Sequence, residues 1–159
     1  MKLLVDFQTA SRQPVPAKKD MCKWIRAALT GRTTQKLVEV SVRLVDLDEM
    51  AHLNETYRGK KGATNVLTFP ANLPAELHLP LLGDIVICAP LVEVEAQQQG
   101  KIENAHWAHM TVHAALHLLG YDHIDEEDAT IMEALETSIL VDLNYACPYQ
   151  PIQACEHLL

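Results

Sequence analysis

The run His113-Ala114-Ala115-Leu116-His117-Leu118-Leu119-Gly120-Tyr121-Asp122-His123 constrains this chain more than any other stretch. Residues four apart on a helix share a face, so the imidazoles of His113 and His117 can converge on one ion. Gly120 is suited to end that helix in the left-handed region and turn the chain back. His123 then supplies a third nitrogen. The stretch therefore calls for a helix, a tight turn and a return within eleven residues. Three neutral imidazoles with an open fourth position make the donor set of a catalytic rather than a structural zinc site, and water held there has a pKa of about 7.

Ordinary histidines of an amphipathic helix would explain one such residue, but not three at ligand spacing around a glycine. The frame also matches the ligand pattern of metzincin peptidases, which carry a glutamate base directly after the first histidine. Here that position is Ala114, whose methyl group accepts no proton. The metal cradle is present and the peptidase base is absent.

At 159 residues the chain fits one domain, 1–159, with a buried core. Hydrophobic residues at 48% and charged residues at 21% suit a soluble protein. No apolar run approaches the roughly 18 residues of a membrane span, and Met1-Lys2-Leu3-Leu4-Val5-Asp6 is too short for a signal peptide, so the expected location is cytoplasmic. Cys22, Cys88, Cys147 and Cys155 contain no Cys-x-x-Cys pair and are expected as reduced thiols, not as a second metal site. Net charge is −8 but unevenly spread. Residues 1–61 hold 12 Lys and Arg against 7 Asp and Glu, and residues 62–159 hold 1 against 14. Such an average disfavours indiscriminate nucleic-acid binding, while a local basic patch can still contact phosphates.

Met1–Phe7 is expected as a first strand, and a helix carries Met21, Trp24, Ile25, Ala28 and Leu29 inward, ending near Gly31. Alternating Val38, Val40, Val42 and Leu44 make Leu37–Val45 a half-buried strand. Asp46 or Asp48 can cap the next helix, with Met50, Leu53, Asn54 and Tyr57 at helical spacing and a stop at Arg58-Gly59. Strands are expected at Thr64–Phe69, before Pro70, and at Leu82–Cys88. A helix from Pro90 to about Gln99, the histidine helix Glu103–Leu119, and a last helix from Asp125 to about Leu143 follow. The last helix is expected to use Ile131, Leu135, Ser138 and Ile139, and the tail after Cys147 to be irregular. Four strands and about five helices give an α+β domain.

Several further stretches join the histidines. They are Leu53-Asn54-Glu55-Thr56-Tyr57-Arg58-Gly59-Lys60, Thr64-Asn65-Val66-Leu67-Thr68-Phe69, Leu82-Gly83-Asp84-Ile85-Val86-Ile87 and Ala105-His106-Trp107-Ala108-His109. Together they resemble the bacterial endoribonuclease YbeY family of ribosomal-RNA maturation factors over essentially the whole chain. Ala114 departs from the family's usual Gly, and Thr68 from its common Ser. The resemblance implies a mixed, mostly parallel four-stranded sheet with helices packed around it. It implies a metal-dependent, single-strand-specific endoribonuclease in ribosomal-RNA end maturation and ribosome quality control, with ribosomal or small-subunit protein partners. By the same carry-over His113, His117 and His123 hold one metal, usually zinc, and Arg58 is functionally important. Three imidazoles also accept nickel, copper or cobalt.

Phosphodiester cleavage needs an activated oxygen and positive charge facing the phosphate. Arg58 suits the second task, because its planar fork binds phosphate in bidentate fashion and stays charged. Lys60 and Lys61 beside it suit either RNA contact or a solvated turn. Activated water and the RNA 2′-hydroxyl both remain as nucleophiles. Asp122 can orient His123 or cap the last helix; Asp84 has the same two options, ligand orientation or structure. His106 and His109 fall within about 80° of the stripe of His113 and His117 but about 10 Å and about 6 Å along the axis from His113. Helix packing or RNA contact therefore fits them better than metal ligation. His52 and His78 read as surface residues, Thr64 and Asn65 as cleft or turn, and two Phe with two Trp are too few for a broad stacking platform. The competing classes are a metallopeptidase-like hydrolase and a non-enzymatic, metal-stabilised ribosome-associated factor.

Overall fold

The alternation in Leu37–Val45 sends Val38, Val40, Val42 and Leu44 into one core while the intervening side chains are polar or half-buried. In the computed structural model, which describes residues 1–149, this stretch is a central strand. The elements run β1 (Lys2–Thr9), α1 (Lys18–Leu29), β2 (Leu37–Val45), α2 (Leu47–Arg58), β3 (Val66–Pro70), a single 3-10 turn at Ala75–Leu77, β4 (Leu81–Cys88), α3 (Ala89–Gln98), α4 (Glu103–Leu118) and α5 (Glu126–Asp142). The sheet order is β1-β2-β4-β3. β1, β2 and β4 are parallel, and β3 joins the edge antiparallel to β4, with Phe69 opposite Asp84 and Pro70 opposite Gly83. Proline is tolerated there because the edge has no further strand to bond. Among the described residues the chain adopts the expected α+β class, with four strands and five helices.

One face of the sheet carries the larger core. Val40, Val42, Leu44, Ile85 and Ile87 meet Met21, Trp24, Ile25 and Leu29 of α1, with Val112, Ala115 and Leu116 of α4 and Met132 and Leu140 of α5. On the other face Val45, Val86, Cys88 and Leu67 pack with Met50 of α2. Helix α4 is the hub, touching α1, α3, α5, β3 and β4. Eleven of its 16 residues are buried, which marks a helix enclosed on most sides rather than a surface one. Ala114 is fully buried within it, so alanine is accommodated at that position without a break in the helix.

Three local expectations differ from the structure. Asp46 is the N-cap residue of α2, but its carboxylate accepts from the Ser11 hydroxyl and the Arg12 amide, tying down the loop after β1 instead of capping the helix. In α5 the buried stripe is Met132, Glu136, Ile139 and Leu140, while Ile131 and Ser138 are exposed. The last helix is capped by Asp125, which accepts from the Asp128 amide at 2.7 Å, and not by Asp122. The tail beyond Tyr149, with Cys155 and His157, lies outside the described residues. Among the described residues, no helix is long and apolar enough to cross a membrane.

Gly83 determines how closely α4 approaches the edge of the sheet. Its φ is +154°, and a Cβ there would stand 2.5 Å from the Phe69 carbonyl oxygen and 2.8 Å from Leu118 Cδ2. Neither β3 backbone nor the last turn of α4 can yield without moving the other. Gly83→Ala is therefore expected to destabilise the fold by about 1–3 kcal/mol, the range for forced overpacking. Urea unfolding monitored by tryptophan fluorescence checks this, and an unchanged midpoint would contradict the close approach.

Candidate metal centre

The last turn of α4 is closed by a paired backbone motif. The Tyr121 amide donates to the Leu116 carbonyl at 3.1 Å and the Gly120 amide to the His117 carbonyl at 2.9 Å, with Gly120 at φ +104°. This is the reversal that a glycine after a helix end permits. It returns the chain so that His123 stands against the helix. The ring centroids are 4.7 Å apart for His113 and His117, 5.2 Å for His117 and His123, and 5.5 Å for His113 and His123. One nitrogen from each lies within 4.8 Å of the others. Tetrahedral zinc with Zn–N of about 2.0–2.1 Å needs nitrogens about 3.3 Å apart, a contraction that small ring rotations supply. His113 and His117 are half-buried and His123 is exposed, so solvent reaches the outer side. Burial, then the neighbouring His113 and His123, lower the pKa of His117, which keeps it in the neutral form that binds metal. This set could hold a metal ion.

The carboxylate that contacts one of these histidines comes from a residue the sequence alone did not reveal. Glu136, on α5, accepts from His109 Nε2 at 2.6 Å, from His113 Nδ1 at 3.1 Å and from the Tyr149 hydroxyl. Burial would raise its pKa, but the bonds from His109 and His113, the nearby His113 and the Tyr149 bond outweigh it and hold it at about 2. Tyr149 is pushed upward in turn by burial and by that same carboxylate. The available signal was Glu136 itself, a charged residue at the spacing of Met132, Ile139 and Leu140 on an apolar helical stripe. Asp122 proves to bond the backbone amide of His123 at 2.7 Å, with its carboxylate 3.9 Å from the ring.

His106 and His109 belong to the packing of the helix. They are 2% and 5% exposed, so neither is available for RNA contact. His106 Nε2 meets Glu95 of α3 at 3.0 Å, and Asn65 donates to the same carboxylate at 3.2 and 3.3 Å. Asn65 thus braces the end of the edge strand against α3. These groups border a cavity of about 750 Å³ that does not include the three converging histidines.

Arg58 closes α2 and is exposed. It donates to the Thr68 carbonyl and lies 5.1 Å from the centre of the Phe69 ring, whose edge also meets Tyr57. Because Phe69 and Leu118 both abut Gly83, the edge strand that Arg58 contacts meets the last turn of α4, which follows His117. Lys60, Lys61 and Asp84 are exposed, as are His52 and His78.

An α+β fold with a buried helix that presents two histidines and a glycine turn that returns a third defines a class of trihistidine metal-site proteins. Its family follows from comparison with known proteins. A family model described as Endoribonuclease YbeY matches residues 6–144. Proteins named Endoribonuclease YbeY from Cellvibrio japonicus and Pseudomonas fluorescens are 52% and 51% identical over 145 and 148 residues. These alignments cover 91% and 92% of this chain and 81% and 96% of the relatives. The chain belongs to the Endoribonuclease YbeY family. The solution structure of TM1509 from Thermotoga maritima, 21% identical, shares the fold with a TM-score of 0.57 over 92% of this chain and 99% of that one.

Two buried groups give the acid stability a definite sign. Burial lowers the pKa of His106 below 6.5, opposed by Glu95 and assisted by Lys101. The unfolded imidazole gains a proton near 6.5 and the folded one resists, so its stabilisation is complete above pH 6.5 and is lost as pH falls through the folded value. Glu136 contributes fully above its unfolded value of 4.5 and loses that contribution between 4.5 and about 2. The melting temperature of metal-free protein is therefore expected to be level above pH 6.5 and to fall below it. His106→Gln should flatten the upper part of that decline in a calorimetric pH series.

Proposed function

We propose that the chain, acting as one domain over 1–159, is a metal-dependent endoribonuclease that cuts single-stranded RNA during maturation of ribosomal-RNA ends and in ribosome quality control, in the cytoplasm. The observation that carries this is the convergence of His113, His117 and His123, in a chain about half identical to proteins named endoribonucleases. Three imidazoles suit zinc, one ion per chain, with nickel or another divalent metal as a substitute. When bound, such an ion supplies Lewis acidity toward a phosphoryl oxygen and activation of an attacking oxygen.

The rest of the chemistry belongs to the chain. Arg58 presents an always-charged planar donor set to the phosphate, and its bond to Thr68 with the Phe69 ring beneath it fixes the direction of the fork. Lys60 and Lys61 extend that charge along the exposed turn after α2. Phosphate contacts of this kind hold an RNA strand without reading its bases. Ribosomal or small-subunit proteins would bring the RNA end to the site.

Peptide hydrolysis is disfavoured by the buried methyl of Ala114, where a general base would stand. Glu136 does not replace that base, since its oxygens already accept three hydrogen bonds. A purely structural metal is disfavoured by the solvent-exposed side of the histidine cluster.

Arg58→Ala is expected to lower cleavage of a single-stranded RNA by about 100-fold or more, in the range of a lost transition-state donor. Its metal content and melting temperature should match the wild type, because Arg58 is exposed. His117→Ala is expected to lose both metal and cleavage, by elemental analysis alongside the RNA assay. Retained metal and retained cleavage in His117→Ala would refute the proposal.

A further inference from the structure

Glu136 is 1% exposed and lies on the apolar face of α5. An ionised carboxylate in such a place is strongly unfavourable unless its oxygens are fully bonded. Here they are. Oε1 accepts from His109 Nε2 and the Tyr149 hydroxyl, and Oε2 accepts from His113 Nδ1. An ionised carboxylate only accepts, so each ring donates from the nitrogen that faces it. His113 therefore carries its proton on Nδ1, and its Nε2 lone pair is left for a ligand bond. His109 carries its proton on Nε2, and its Nδ1 has no hydrogen-bond partner among the described residues. Two rings of one helix thus present opposite nitrogens to one acid. Only His113 also belongs to the converging trio.

We propose that Glu136 is the positioning carboxylate of the metal centre, fixing the tautomer and ring orientation of His113, while His109 and Tyr149 hold Glu136 itself in place. This rests on the trihistidine reading of the site. A hydrogen bond from a ligand imidazole to a carboxylate raises the ligand's basicity and removes the freedom of the ring to turn away. Neither His117 nor His123 has a comparable partner in a buried carboxylate among the described residues. Glu136 therefore acts through His113 alone. Tyr149, from the segment after α5, completes the arrangement by donating to the oxygen that His109 also uses.

The test is Zn²⁺ affinity measured by chelator competition on wild type, Glu136→Gln and Tyr149→Phe, with the melting temperature of each metal-free protein. Glutamine keeps the volume but offers one accepting oxygen in place of two. Glu136→Gln is expected to weaken Zn²⁺ binding by about 10–100-fold, the usual effect of losing a carboxylate behind a ligand histidine. Tyr149→Phe should weaken it less. Nitrogen-15 NMR of metal-free wild type should find His113 protonated on Nδ1, a result independent of how any variant folds. Equal Zn²⁺ affinity in wild type and Glu136→Gln, or an Nε2-protonated His113 in wild type, would overturn the inference while leaving the trihistidine site standing. A wild type that takes up no Zn²⁺ would overturn that site and the inference together.

Discussion

A helix enclosed on nearly every side can spare only one narrow stripe for polar groups, and in α4 that stripe governs the molecule. His106, His109, His113 and His117 follow one another along it. A buried imidazole needs a partner for the nitrogen that bears hydrogen, and neighbouring helices supply carboxylates at two levels. Glu95 of α3 serves His106, and Glu136 of α5 serves His109 and His113. Beyond that level, among the described residues, no buried acid reaches the stripe. His117 and the returning His123, half-buried and exposed respectively, have no buried carboxylate partner among the described residues. The converging trio straddles that limit, with His113 bonded to Glu136 and His117 and His123 beyond it.

The same constraint sets the sheet. For α4 to be enclosed, its last turn has to descend onto the junction of β3 and β4, and only a residue without Cβ permits that approach at Gly83. The antiparallel edge strand then lies beside the turn that carries His117. The same strand supplies the Thr68 carbonyl and the Phe69 ring that hold Arg58. Core packing of α4 and the placement of the strand that Arg58 contacts share one cause. A purely local account of either would miss that they are the same contact.

What was legible in the sequence was local. The trihistidine spacing and the Gly120 reversal depend on neighbours within eleven residues, and the alternation of β2 and the inward face of α1 depend on simple periods. What was not legible depended on contacts across the chain. Asp46 looked like a helix cap, and a loop 34 residues earlier claimed its carboxylate. The inward face of α5 was misassigned by one position. Ile131 looked apolar enough to be core, whereas the true stripe contains an acid at Glu136. Treating a charged residue as surface by default hid the residue that contacts His113.

That error has a physical moral for the helix as a whole. An apolar pattern interrupted by one acid has two solutions, rotation of the helix to expose the acid or a set of donors brought to meet it. Rotation of α5 to expose Glu136 would bring Ile131 inward and withdraw Met132 and Leu140 from the core, so burial of two apolar side chains would be traded for one. Keeping Glu136 inside requires three donors at one point, and His109, His113 and Tyr149 arrive from α4 and from the segment following α5. Packing and hydrogen bonding thus agree on one orientation of α5. That orientation also fixes which nitrogen of His113 meets the acid and which is turned away from it.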